Sequence, residues 1–167
     1  MDIDTIFEEW TLGDQQTSEL QPLCDAKLRD ALYCLIPNNP SPIHRKLILE
    51  LLSEEVIYRR GLWERTINND DYYENIYLCV FLLTRLEKVE DVFHIWQVKH
   101  LNMDVGSIID VYFLVGGGID ATLAYLTADK SEVADKIIQY ILDASITQAD
   151  VEGWIDGQIE YHDRISA

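Results

Sequence analysis

The sequence predicts an all-α protein: a single-domain bundle of antiparallel helical hairpins, HEAT-like or irregular in its stacking. Three observations carry this expectation. Apolar residues recur at helical spacing along most of the chain, and no stretch alternates convincingly between apolar and polar residues. Proline, glycine and Asn/Asp punctuation leaves connections of only a few residues, which makes neighbouring helices antiparallel. With 167 residues, 48% of them hydrophobic, the chain is long enough for a real core and lacks the composition of a disordered one.

The elements follow in order. A short helix fits Ile3 to Trp10, and a second fits roughly Ser18 to Leu35. The segment Pro37-Asn38-Asn39-Pro40-Ser41-Pro42 cannot continue that helix. Ser41-Pro42 starts a third, with Pro in the first turn and Leu47, Leu51 and Leu52 at helical spacing, ending near Arg60-Gly61. Asn69-Asp70-Asp71 is expected to cap a fourth helix reaching about Leu86; it is apolar on nearly all sides, so Tyr77, Val80, Phe81 and Leu83 belong in the core. Glu90-Asp91 opens a fifth, to about His100. Gly106–Val115 and Ile119–Leu126 read as two short apolar helices. Ser131 caps a helix to Ala144, and Thr147 to His162 forms the last. Helix pairs at a pitch of roughly 35–45 residues suggest stacked hairpins in the manner of helical repeats, without internal sequence similarity strong enough to define a repeat.

Charge is the dominant global feature: 30 acidic against 13 basic residues, a formal net charge of −17. Such a surface disfavours direct binding to duplex DNA or an anionic membrane, and suits a basic protein partner or a protein that binds nucleic acid. The longest apolar run, residues 76–83, is too short to span a bilayer. The acidic start MDIDTIFEEW lacks the apolar core of a signal peptide. Cys24, Cys34 and Cys79 are odd in number and have no metal spacing; Cys34 and Cys79 lie in apolar runs and are expected to be small buried hydrophobes. Together these point to a cytoplasmic protein.

Gly116-Gly117-Gly118, inside DVYFLVGGGIDATLAYL, could be a phosphate loop or a corner between helices. A phosphate loop needs a preceding strand, backbone donors opening a helix and usually a lysine. No Lys or Arg lies between Lys99 and Lys130, and Asp120 would repel an anion, so the glycines are expected to form a turn. Glu90, Asp91 and His94 share a helical face and could supply a general base or part of a metal site. The helix macrodipole already accounts for acids in a first turn, and no third metal ligand is evident. A serine nucleophile with a matching histidine is not recognisable, and no cofactor is expected.

Most aromatic residues read as core, including Tyr73 with Tyr77 and Phe93 with Trp96 around Ile95. Trp63 and Trp154 stand among polar residues near helix ends. In the last helix Glu152, Asp156, Glu160 and Asp163 follow at +4, +4 and +3, an arc of roughly 80°. Trp154, Tyr161 and Ile165 fall on another face, where they can pack inward. This acidic strip reads either as a solvated face or as a partner-binding strip, and in the second reading it is the first candidate partner surface. The second is Trp63 with the Asp70-Asp71-Tyr72 corner.

The stretch Lys88 to Leu126 carries Glu90-Asp91-Val92, Ile95-Trp96, Lys99, Asn102, Asp104 and Gly106. It continues through Asp110-Val111, Leu114-Val115-Gly116-Gly117-Gly118 and Leu123-Ala124-Tyr125-Leu126. In these features it resembles small helical immunity proteins of bacterial toxin systems. The resemblance covers about a quarter of the chain and transfers no catalytic residue. It implies a non-enzymatic protein that binds a cognate toxin tightly and stoichiometrically, occluding the toxin's basic surface with carboxylates and aromatic anchors. Two rival expectations remain. One is an acidic nucleic-acid mimic directed at a DNA-binding protein; the other is a small helical enzyme using Glu90, Asp91 and His94.

Overall fold

A computed structural model describes residues 2–12 and 22–165, with side chains to Asp163. Ten α-helices and two short 3-10 turns make up the regular structure, with no strand among the described residues, so the fold is all-α. None of these helices is long and apolar enough to cross a membrane. The chain forms two compact units, Met1–Leu83 and Thr84–Ala167.

The first unit contains α1 (Ile3–Leu12), α2 (Ala26–Tyr33), a 3-10 turn at Pro42–His44, α3 (Arg45–Trp63) and most of α4 (Asn75–Arg85). Asp25 caps α2 by accepting from the Lys27 and Leu28 amides at 2.8 and 3.4 Å. At the entrance to α3 the Ser41 amide donates to His44 Nδ1 at 3.0 Å, reaching back across the proline turn. One stripe of α3 then turns inward: Leu47, Ile48, Leu51, Leu52, Glu55, Tyr58 and Arg59 are all buried. Ser18 to Gln21, where the second helix was expected to begin, lies outside the described residues.

In α4, Ile76, Cys79, Val80, Phe81, Leu82 and Leu83 are at most 1% exposed, as expected of a helix apolar on nearly all sides. Its start differs from the expectation. Asn69-Asp70-Asp71 does not cap it: Asn69 Oδ1 accepts from the Asp71 amide at 2.9 Å, and the helix opens at Asn75. Two α3 side chains take the backbone groups of this corner. Tyr58 donates to the Asn69 carbonyl at 2.6 Å, and Arg59 Nη1 donates to the Tyr73 carbonyl at 2.7 Å. Carbonyls captured this way leave the helical ladder to begin a turn later.

The second unit continues with a 3-10 turn at Val89–Asp91, α5 (Val92–Lys99), α6 (Met103–Ile108), α7 (Val111–Leu114), α8 (Ile119–Asp129), α9 (Glu132–Ala144) and α10 (Gln148–Ile165). Ser131 caps α9, accepting from the Ala134 amide at 3.1 Å. The segment expected as one helix from Gly106 to Val115 is broken at Ile109-Asp110. Lys99 Nζ ties off the end of α6, donating to the carbonyls of Gly106 and Ile109 at 2.9 and 2.6 Å. Asp110 starts α7 anew by accepting from the Tyr112 amide at 3.0 Å.

The triple glycine is a corner between α7 and α8. A Cβ at Gly116 would overlap the Thr84 carbonyl and approach Thr84 Cγ2 to 2.7 Å, so close backbone approach dictates that glycine. Gly118 has φ +95° and opens α8, with Asp120 in the first turn.

Several side chains depart from expectation. Tyr73 is 43% exposed, and Tyr77, Phe93 and Trp96 are only half-buried. Each finds an edge partner instead of a core site. Arg59 stacks over Tyr73 and Tyr77, Phe93 meets Tyr125, and Trp96 meets Tyr140 edge-on at 5.5 Å. Cys34 is exposed rather than buried, its thiol donating to the Asp30 carbonyl; Cys79 is buried.

Candidate partner surface

Helix α10 is fixed at its start by a reciprocal cap. The Thr147 amide and hydroxyl donate to Asp150 Oδ2 at 2.8 and 2.7 Å, and the Asp150 amide returns a bond to Thr147 Oγ1 at 3.3 Å. These bonds hold the Asp150 carboxyl below its ordinary range. Val151 and His162, three turns apart, mark the buried side, and Trp154 between them lies nearly parallel to the Tyr112 ring at 5.7 Å and edge-on to Phe113 at 4.7 Å. Tyr161 does not pack inward with them. It precedes His162, lies about 100° from it around the helix and is 49% exposed. The Ile165 side chain lies outside the described residues.

With the helix oriented this way, Glu152, Asp156, Glu160 and Asp163 are all exposed. Helix α9 adds exposed Glu132, Asp135 and Asp143. Glu132 pairs with Lys136 at 2.9 Å, which lowers its carboxyl pKa, and Asp143 accepts from Gln139. From Glu132 to Asp163 the sequence holds eight carboxylates and one cation, Lys136, and every one of these carboxylates is exposed. Within this run, where Lys136 is the one Lys or Arg, the carboxylates present a local negative field.

The second candidate corner belongs to the first unit. Trp63 is 58% exposed, Asp70 and Asp71 are exposed, and Tyr72 is half-buried. Tyr58 and Arg59 pin the 69–73 backbone to α3, so this corner is presented by a fixed support.

Glu90, Asp91 and His94 do not converge. Asp91 is buried at 1% exposure, while Glu90 and His94 face solvent. Glu90 and Asp91 sit in the 3-10 turn ahead of α5, and His94 on α5 itself. Among the described residues no group of three or more His, Cys, Asp or Glu side chains is placed to hold a metal ion.

Sequence reasoning missed a buried polar cluster in the first unit. Arg29 and Glu55, 1% and 0% exposed at the side chain, form an ion pair at 2.8 Å. Tyr33 and Cys79 lie beside it. Burial raises the Glu55 carboxyl against the lowering influence of Arg29, and burial likewise pushes the Tyr33 phenol and the Cys79 thiol well up. The available signal was positional. Glu55 occupies the next inward step after Ile48, Leu51 and Leu52, and Arg29 precedes Leu32, Tyr33 and Ile36 at the same helical spacing.

Compared with protein families, curated proteins and solved structures, the chain matches none.

Proposed function

We propose that the protein is a stoichiometric inhibitor that neutralises a basic protein toxin by covering its cationic surface, an immunity protein in the sense of the resemblance over Lys88–Leu126. The observation that carries this reading is the exposed carboxylate run from Glu132 to Asp163, centred on Glu152, Asp156 and Glu160 of α10. Carboxylates on a rigid helix speed encounter with a cationic partner and fix its orientation. Such steering suits a protein that must capture its target before the target acts.

The test is a triple variant, Glu152→Lys, Asp156→Lys and Glu160→Lys, compared with the parent against any basic protein that the parent captures in a pull-down from its own cell extract. All three positions are exposed, so the helical circular-dichroism spectrum stays as it was. Association slows by about tenfold or more at low salt and loses much of its ionic-strength dependence. Unchanged kinetics in a well-folded triple variant would move the interface to Trp63, Asp70, Asp71 and Tyr72. A partner that is itself a DNA-binding protein, displaced from DNA by the chain, would favour nucleic-acid mimicry instead.

A further inference from the structure

Glu55 is fully buried on the inward side of α3, and Arg29 of α2 lies against it at 1% exposure. The guanidinium divides its donors. Nε goes to Glu55 Oε1 at 2.8 Å, Nη1 goes to the carbonyls of Leu23 and Cys24 at 2.9 and 3.0 Å, and Nη2 has no hydrogen-bond partner among the described residues. The carboxylate therefore receives one short bond. Tyr33 OH stands at 3.5 Å from the same oxygen, and Oε2 accepts no hydrogen bond among the described residues. A buried ion pair offsets the loss of hydration only when its geometry is good and its remaining lone pairs are satisfied. This pair is monodentate, and its cation is shared with two carbonyls.

Among the described residues Glu55 pairs with Arg29 alone. From α2 the neighbours are Tyr33, protonated, and Asp30, whose negative charge opposes that of Glu55. From α4 comes Cys79, whose thiol is protonated and donates to the Ile48 carbonyl at 3.4 Å. Within α3 the titratable and charged neighbours along the chain are Glu54, Tyr58, whose ring lies under the Arg29 guanidinium at 5.6 Å, and Arg59, buried and donating to the Tyr73 carbonyl and the Tyr77 hydroxyl.

We infer that the Arg29–Glu55 clasp is a pH-sensitive element of the Met1–Leu83 unit: mild acidification places a proton on Glu55 inside the fold and tightens the unit. The proton comes from solvent and adds to the carboxylate, and no heavy-atom bond changes. Arg29 keeps the Leu23 and Cys24 carbonyls, so the chain entering α2 stays anchored in both protonation states. The sign follows from linkage. The folded chain binds this proton more tightly than the unfolded chain does, so the contribution of Glu55 to stability is fully present below the ordinary glutamate pKa and is lost as pH rises through the folded value. Within that window the folding equilibrium constant changes by up to about tenfold per pH unit.

The experiment is urea unfolding of the whole chain between pH 4.5 and 8, comparing the parent with Glu55→Gln, whose side chain does not titrate. In the parent, stability rises on acidification by a component that the variant lacks, and the size of that difference depends on pH. A difference that is constant with pH, or one showing that Glu55 loses stability on acidification, overturns the inference. Should Glu55→Gln fail to fold, carbon-13 NMR of the parent's glutamate carboxyls replaces it. A Glu55 midpoint above that of free glutamate supports the clasp, and one at or below it sinks the idea.

Discussion

Gly116→Ala tests the packing of the corner on which α7 and α8 turn. The added methyl would overlap the Thr84 carbonyl, lie 2.7 Å from Thr84 Cγ2 and 2.8 Å from the Thr84 carbonyl carbon. Most of these contacts are backbone, so no flexible side-chain end can swing away. The corner must move, and overpacking of this kind costs about 1–3 kcal/mol. Moving it also pulls the Phe113 carbonyl from Thr84 Oγ1, a 2.8 Å bond in which Thr84 is 3% exposed. A broken buried hydrogen bond adds about 1–3 kcal/mol. Alanine returns about 0.4–1 kcal/mol by restricting the unfolded chain. The net expectation is a loss of about 1–6 kcal/mol. At a urea dependence of about 2 kcal/mol per molar, the unfolding midpoint falls by about 0.5–3 M. Gly153→Ala is the control. A Cβ there meets nothing within 4 Å inside α10, so the substitution stabilises by about 0.5–1 kcal/mol. If Gly116→Ala leaves the midpoint as high as Gly153→Ala does, the close approach to Thr84 is not a constraint, and this account of the triple glycine is wrong.

Two further substitutions address the cores and the helix joints. Phe81→Ala empties a fully buried aromatic site in α4 and should cost about 3–5 kcal/mol; an unchanged denaturation midpoint would show the helix to be peripheral. Lys99→Met keeps the aliphatic stem but removes the donor that closes α6 and the cation over Tyr140 at 5.0 Å. It should cost about 2–4 kcal/mol and speed hydrogen exchange of the α6 amides above those of α5; equal protection in both helices would show that Asp110 alone ends the segment.

Features settled within a few residues were legible in the sequence. The helical period placed Glu152, Asp156, Glu160 and Asp163 on one exposed face, since that face depends only on a rotation of about 100° per residue. The Ser131 cap and the glycine corner follow from the same local chemistry, a hydroxyl beside free amides and a residue without a side chain where the backbone crowds. What the tertiary structure alone decided involves partners distant in the chain. The start of α4 moved from Asn69 to Asn75 because Tyr58 and Arg59, from the preceding helix, captured carbonyls that helical periodicity cannot show to be taken. The segment Gly106–Val115 broke in two because Lys99 found its carbonyls. Arg29 and Glu55, 26 positions apart, each interrupt an apolar stripe in the sequence. Their meaning as a pair appears only when α2 and α3 pack, because only that packing buries both charges and sets one against the other.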